Sequence, residues 1–292
     1  MQAMKEWMDV ADQIVVVDSF STDGTLEYLK EHLSHPRVSF LQHPPGLYES
    51  WNFGIQQLKT EFAYISTVGD TITRHGLKRL LEVAVATQAG IVISKPQFIE
   101  EDGRSSEGPY FALDDLIATR KITQPRLLHP LEVIAFTATN LGAALSGSCA
   151  SDLFRTSVLE QFPFPVTHGH GSDGAWSVLH VADVKWAVTP EKFSTFVLHA
   201  KSPAARQAPD PNTARRLDLL LGDVLPGCEP KVKELLGAAT NWMNHKEEFD
   251  RLRKRPFPWS LRPGAWRTRL RRDAARRDCI RLQTQILSSL ES

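Results

Sequence analysis

Three aspartates lie where the sequence pattern changes to that of a helix or a turn, and their carboxylates could do chemistry. Asp18 ends the run IVVVD, Asp70 ends STVGD, and Asp173 lies in the glycine-rich stretch THGHGSDGAW. A carboxylate can accept hydrogen bonds from a ligand, hold a divalent cation, or remove a proton as a general base. Each also has a structural alternative, because aspartate commonly caps turns and the N-termini of helices.

The segments that carry these aspartates predict strands and helices in alternation. Apolar, often β-branched runs predict strands at 14–17, 38–42, 62–67, 90–94 and 192–199. Amphipathic segments predict helices at 28–33, 48–59, 75–88 and 172–184. This order predicts an α/β fold with a mostly parallel sheet flanked by helices, in which ligands bind at the carboxyl ends of the strands.

The composition is that of a folded, soluble protein. The chain has 292 residues, of which 42% are hydrophobic, and this is enough for one large α/β domain with an appendage. No stretch approaches the roughly 20 apolar residues of a membrane span, and the first residues lack the order of a signal peptide. Three widely spaced cysteines, Cys149, Cys228 and Cys279, favour free thiols in a reducing compartment. We therefore expect a cytoplasmic protein.

Basic residues are concentrated near the C-terminus, although the formal net charge of the chain is zero. Residues 251–281 contain twelve Lys or Arg against two acidic residues, which leaves +10 there and −10 elsewhere. Apolar residues that recur at multiples of four predict an amphipathic helix here, namely Trp266, Leu270, Ala274, Leu282, Ile286 and Leu290. One interpretation is docking on the rest of the protein or self-association, and the other is an anionic membrane surface. No motif that reads nucleic acid is present, so we predict no such partner.

Four motifs, taken in order, resemble the landmarks of the family 2 inverting glycosyltransferases, which have the GT-A fold. They are VVVDSFSTDGT, GLYESWNFGIQQLKTEFAYIS, GDTITRHGLKRL and SDGAW, and they fall within residues 10–200. The resemblance implies a GT-A-like domain over residues 1–202 and a helical, basic extension over 203–292. It also implies transfer of a sugar from a nucleotide-sugar donor to the hydroxyl of a glycan, lipid-linked or protein acceptor.

The resemblance also implies roles for individual residues. The family aspartate that matches Asp18 contacts the base of the donor. The predicted nucleotide-sugar site as a whole comprises Asp18, Ser19, Ser21, Asp23, Asn52 and Asp70. Asp70 alone remains of the acidic metal motif, and one carboxylate can suffice for Mg²⁺ or Mn²⁺, with His199 as a second predicted ligand. Asp173 matches the general base, and Ser172 replaces the glutamate that usually precedes it.

Two departures from the family pattern keep an alternative open. The acidic motif is reduced to Asp70, and the hydrophobic strand with which the family usually opens is missing before residue 14. Both favour a non-catalytic sugar-binding or scaffolding protein as the second interpretation. A nucleotidyltransferase on the same fold is a third, but the chain lacks a triphosphate-binding loop. The donor sugar, the acceptor and the linkage depend on loops, so the sequence predicts none of them.

Overall fold

The computed structural model of the protein describes residues 2–67, 69–106, 112–140, 145–146, 149–198, 230–253 and 265–291. Its helices are α1 (Gln2–Trp7), α2 (Thr25–His32), α3 (Leu47–Ile55), α4 (Arg74–Thr87), α5 (Ala112–Thr119), α6 (Pro130–Thr139), α7 (Thr156–Gln161), α8 (Ser172–Leu179), α9 (Pro230–Arg253) and α10 (Ala265–Ser288). Its strands are β1 (Ile14–Asp18), β2 (Val38–Gln42), β3 (Phe62–Ala63), β4 (Thr71–Ile72), β5 (Ile91–Ile93), β6 (Gln97–Glu100), β7 (Ser105–Ser106), β8 (Arg126–Leu127), β9 (Leu153–Arg155), β10 (Trp186–Val188) and β11 (Ser194–Leu198). The predicted α/β class is confirmed.

The described strands form three sheets, of which the first is parallel and the other two contain both parallel and antiparallel pairs. β1 and β2 pair in parallel along their whole length. The second sheet has the order β3-β9-β5-β10-β8, in which only β5 and β10 run parallel to each other. The third has the order β4-β11-β6-β7, in which only β11 and β6 are parallel. The parallel arrangement expected from the βαβ order thus applies to one pair of strands in each sheet, whereas the other pairs among the described strands are antiparallel.

The N-terminal elements surround the strand that ends on Asp18. The first described element is helix α1, and among the described strands β1 pairs only with β2. Helix α3 packs closely on β1 at Gly54, where an added Cβ would lie 3.1 Å from Val17 Cγ2. A glycine at this position therefore lets the helix that follows β2 approach the first strand.

The two C-terminal helices share the main hydrophobic core with the α/β part. Buried residues of α9 and α10, such as Leu235 and Ile286, belong to the same cluster as Phe136 of α6. A buried hydrogen bond of 2.8 Å runs from Gln283 Nε2 on α10 to Thr139 Oγ1 on α6. None of the described helices is both long and apolar enough to cross a membrane.

Helix α10 carries apolar residues on two sides, so the prediction that the apolar series lies on one face of an amphipathic helix is wrong. Leu282 and Ile286 are buried, whereas Trp266 and Leu270 are 61% and 54% exposed. A spacing of four residues exceeds the 3.6 residues of a helical turn, so apolar residues at multiples of four rotate steadily around the helix. Between Trp266 and Ile286 this rotation carries the series from the solvent side to the core.

A buried carboxylate on α6 is neutralised by two arginines. Glu132 Oε1 accepts from Arg120 Nε and from Arg126 Nη2, each at 2.7 Å. Glu132 Oε2 accepts from the backbone N–H of His129 at 2.9 Å, which forms a capping box at the start of the helix. Burial alone would raise the pKa of Glu132, but the hydrogen bonds from Arg126 and His129 outweigh it and lower the pKa. Glu132 is therefore an ionised anchor between α6 and the segments before it.

Candidate active site

Asp18 is held by the neighbouring strand and by the loop that follows it. Its Oδ2 accepts from Gln42 Nε2 on β2 and from the backbone N–H of Ser21, each at 3.1 Å. Hydrogen bonding from Ser21 holds the pKa of Asp18 below its ordinary value, against the opposing effect of burial, and Gln42 adds to the lowering. The side chain is thus a buried, ionised acceptor at the carboxyl end of β1.

The loop after β1 is open to solvent. Ser19, Ser21 and Asp23 are exposed, and Phe20 between them is 53% exposed with a left-handed φ of 59°. Asp23 Oδ1 accepts from the backbone N–H of Thr25 at 3.0 Å, so this carboxylate also fixes the start of α2. An aromatic residue rarely adopts a left-handed backbone, and such conformations concentrate at functional sites. This loop is therefore a candidate contact for a ligand held at β1.

Asp70 lies in a tight turn between β3 and β4. Gly69 before it has a φ of 99°, which favours glycine. Thr67 Oγ1 donates to Asp70 Oδ2 at 2.6 Å, and the Asp70 backbone N–H donates to the Thr67 carbonyl oxygen at 3.2 Å. The cap of helix α4 is Thr73, whose Oγ1 accepts from the backbone N–H of Gly76 at 3.0 Å. The structural alternative for Asp70, capping this helix, therefore belongs to another residue.

Asp173 lies in the first turn of α8, after a glycine-rich turn. The N-cap position is Gly171, and no side chain caps the helix there. Asp173 Oδ1 accepts from the backbone N–H of Gly174 at 2.7 Å and from Tyr48 Oη at 3.2 Å. Ser172 is buried and donates from Oγ to the Gly169 carbonyl oxygen at 3.0 Å. The helix dipole also favours a negative charge in this first turn.

Helix α3 carries Tyr48, the hydrogen-bond partner of Asp173, and its Asn52 holds the loop that precedes α8. Asn52 Nδ2 donates to the Phe164 carbonyl oxygen at 2.8 Å, and Asn52 Oδ1 accepts from the Phe164 backbone N–H at 3.0 Å. Tyr48 lies one turn earlier on the same helix. Burial and the charge of Asp173 raise the pKa of Tyr48, so its hydroxyl stays a hydrogen-bond donor. The amide of Asn52 therefore has a structural use, and its predicted contact with the donor stays a prediction.

The cluster consists of the buried thiol of Cys149 and of three aspartates from separate segments whose charges act on it. Burial raises the pKa of Cys149 well above its ordinary value, and the charges of Asp173, Asp152 and Asp70 raise it further. Two of the aspartates, Asp70 and Asp173, were predicted from the sequence as site residues.

Asp152 was not predicted from the sequence, and it is the most buried carboxyl of the cluster. Its Oδ1 accepts long hydrogen bonds, 3.4 Å from the Ser94 backbone N–H and 3.5 Å from Ser151 Oγ. Its Oδ2 is buried and has no hydrogen-bond partner among the described residues. Burial raises the pKa of Asp152 well above its ordinary value. The only sequence signal was its place in SGSCASDLFR, among small residues that suit close packing.

A divalent metal fits this cluster only in a sparse arrangement. Among the described residues, no three His, Cys, Asp or Glu side chains are grouped so that they could hold a metal ion. His199, the second ligand predicted from the sequence, lies outside the described residues. Mg²⁺ often keeps several waters and binds through one or two carboxylates together with substrate phosphates. The half-buried carboxylate of Asp70 fits that minimal requirement.

Residues 5–142 match the family model Glycosyl transferase family 2. Over these residues the family and the enzyme class expected from the sequence are confirmed. The matched residues include Asp18, Asn52 and Asp70, whereas Asp173 lies beyond them. No curated protein sequence matches the chain.

Solved structures of S. aureus TarS share the fold. The structure of TarS 1-349 in complex with UDP-GlcNAc has a TM-score of 0.60 at 14% identity, covering 99% of this chain and 88% of that chain. The complex of the same TarS fragment with UDP has a TM-score of 0.57 at 14% identity, with the same coverage. The chain spans about half of the longer TarS structure, 52%, with a TM-score of 0.55. These likenesses confirm the GT-A-like fold.

Proposed function

We propose that this protein transfers a sugar from a nucleotide-sugar donor to an acceptor hydroxyl with inversion, and that Asp173 is the general base. The observation that carries the proposal is the setting of Asp173, in the first turn of α8, where its Oδ1 accepts hydrogen bonds from Tyr48 Oη and the Gly174 backbone N–H. The family 2 domain supplies the reaction class, and this carboxylate supplies a group that can take a proton.

The proposed reaction is a single displacement at the anomeric carbon of the donor sugar. The acceptor oxygen forms a bond to this carbon while the bond from the carbon to the diphosphate oxygen breaks on the opposite face. The acceptor proton passes to the Asp173 carboxylate, and the nucleoside diphosphate leaves with the electron pair. The hydrogen bonds from Tyr48 and Gly174 to Oδ1 orient the carboxylate for this step.

The donor site would extend from the cluster to the carboxyl end of β1. Asp18 would accept hydrogen bonds from the nucleobase, with further contacts proposed for Ser19, Ser21, Asp23 and Asn52. A divalent metal, Mg²⁺ or Mn²⁺, would be held by Asp70 and the donor diphosphate, with His199 as a proposed second ligand, and it would neutralise charge on the leaving group. Because S. aureus TarS, which shares this fold, was solved with UDP and UDP-GlcNAc, a UDP-sugar is the donor to test first.

A direct test is nucleoside diphosphate release by the full chain from a panel of UDP- and GDP-sugars with Mg²⁺ or Mn²⁺. Candidate glycan, lipid-linked and protein acceptors are added in turn. We expect donor-dependent thermal stabilisation and acceptor-stimulated release of the diphosphate with at least one donor. Binding of a donor without turnover for any acceptor would favour the non-catalytic sugar-binding alternative, and failure of every donor to bind would contradict both.

Replacing Asp18 should weaken donor binding without disturbing the fold. Asp18→Asn keeps one oxygen for Ser21 and Gln42, but it places an N–H donor where the nucleobase N–H needs an acceptor. We expect the donor Kd to rise roughly tenfold or more, because a buried donor would be left unpaired. Calorimetric titration with UDP measures the change. The matched control is Asp102→Asn, another turn carboxylate that accepts a backbone N–H two residues on, and it should bind UDP like the wild type.

Replacing Asp70 should separate metal dependence from nucleotide recognition. We expect Asp70→Asn to bind UDP with the same affinity in the presence and absence of Mn²⁺, whereas the wild type binds more tightly with the metal. The measurement is UDP titration with Mn²⁺ and with a chelator, which needs no turnover. Thr67→Val serves as the control, since it replaces only the hydroxyl that donates to Asp70 and leaves the carboxylate in place, so the metal response should persist. A metal response that persists in Asp70→Asn would contradict the assignment.

A further inference from the structure

The solvent face of α10 combines apolar and basic side chains. Trp266, Leu270 and Ile280 are 61%, 54% and 43% exposed. At 3.6 residues per turn these three positions fall within an arc of about 80° on the helix. They therefore form one apolar strip along the side of α10 opposite to the core.

Arginines border this strip on both sides. By the same helical geometry, Arg269 and Arg276 lie on one flank, and Arg267 and Arg281 lie on the other, with Arg277 inside the arc. All five are exposed. An apolar strip between rows of arginine is the arrangement of helices that lie in the plane of a membrane interface, where arginine stems cover apolar surface and their heads reach phosphates.

The acidic residues of α10 do not cancel this charge. The helix has seven arginines and two aspartates, and 7 − 2 leaves five positive charges. Asp273 is paired with Arg272 at 2.6 Å and Arg269 at 3.8 Å, and Asp278 is paired with Arg281 at 2.7 Å. The remaining arginines face solvent or stack on rings, as Arg276 does 5.7 Å above Trp242.

A groove beside the strip adds further donors for anions. It has a volume of about 560 Å³ between α9 and α10, and its charged lining consists of Arg271, Arg277, Arg281 and Asp278, the last paired with Arg281. Arg277, inside the arc, and Arg281, on its flank, therefore belong to the groove as well. An anionic group of a surface that contacts the strip would lie within reach of this groove.

We propose that the α10 face is a docking surface for an anionic lipid bilayer, with the apolar strip at the headgroup level and the arginines on lipid phosphates. A second copy of the chain fits less well, because a two-fold contact would place this basic face against itself. Nucleic acid would use the arginines but would leave the exposed Trp266 and Leu270 without a partner. This surface is independent of the proposed transfer reaction.

The test is sedimentation of the full chain with vesicles of phosphatidylcholine alone and of phosphatidylcholine with phosphatidylglycerol. We expect binding to the phosphatidylglycerol vesicles alone, and we expect it to weaken as salt is raised. The variant Arg277→Gln/Arg281→Gln should weaken binding by roughly fivefold per arginine. The variant Trp266→Ser/Leu270→Ser should weaken it by about tenfold at unchanged charge. Matched controls are Val85→Ser on exposed α4 surface and Arg104→Gln, which should bind like the wild type.

Several results would overturn the proposal. They are no sedimentation with phosphatidylglycerol vesicles, equal binding to phosphatidylcholine vesicles, or unchanged binding of both double variants. A concentration-dependent dimer that only the strip variant abolishes, without any vesicle binding, would assign the face to a second copy instead. UDP titration of the same variants separates this inference from the proposed function, because the α10 face can fail as a membrane contact while donor binding is retained.

Discussion

Asp173→Asn is expected to transfer sugar about 10² to 10⁴ times more slowly than the wild type. The amide cannot take a proton from the acceptor hydroxyl, so the step that the carboxylate would assist loses its base. The geometry should survive, because the amide oxygen can still accept from Tyr48 Oη and from the Gly174 backbone N–H. Single-turnover measurement of sugar transfer at saturating donor gives the rate directly.

The same variant should leave donor affinity and the melting temperature near their wild-type values. Asp183→Asn is the matched control, since Asp183 is an exposed carboxylate beyond the end of α8 that pairs with His180. It should transfer sugar at the wild-type rate. If Asp173→Asn were equally active, the carboxylate at the start of α8 would be structural, and the base would have to be sought among the acidic residues of segment 100–115.

Glu132→Ala is expected to lower the free energy of unfolding by about 3 kcal/mol, because it leaves the half-buried Arg126 without its carboxylate and Arg120 with only the exposed Glu291. It also removes the capping box at the start of α6. Urea denaturation followed by circular dichroism measures the loss. The variant Glu132→Gln keeps the size of the side chain and an oxygen for the cap, so it should lose less than Glu132→Ala. An alanine variant as stable as the wild type would show that the ion cluster contributes nothing net.

The Glu132 cluster also predicts how stability depends on pH. The folded pKa of Glu132 lies below the ordinary glutamate value, so the folded state favours the ionised form. Its contribution is fully present above the unfolded pKa of about 4.3 and is lost as pH falls through the folded pKa. Denaturation midpoints should therefore decline more steeply with acid in the wild type than in Glu132→Gln. Parallel acid profiles would contradict this assignment.

The strands that could be predicted are those whose side chains carry their own signal. The β-branched run at β1 and the run at β2 predicted the observed strand positions, because β-branched and aromatic residues favour strands. The strand predicted at 62–67 is shorter in the structure, Phe62–Ala63, since the chain turns towards Asp70 after it. The buried face of α10 could not be predicted from apolar residues spaced by four. Only the tertiary packing decides which of these residues are buried and which are exposed.

The residues of the candidate site divide in the same way, into those with a signal in the local sequence and those identified only by their contacts with distant segments. Asp18 and Asp173 were visible because each stands at a change of local pattern. Tyr48 and Asp152 were not, because their importance comes from neighbours far away in the chain: Tyr48 reaches Asp173 across 125 residues. A buried carboxyl with an unpaired oxygen has no signature in composition, since burial is decided by how the segments pack.

The packing of α10 on α6 has a practical consequence for anyone who shortens this protein. Leu282 and Ile286 cover part of the core that includes Phe136, and Gln283 supplies the partner of a buried hydroxyl on Thr139. A chain ended at residue 202, the domain boundary expected from the sequence, would open this apolar surface to water. Such a surface would drive aggregation during expression. Enzymology on this protein therefore needs the helices at its C-terminus, whatever they bind.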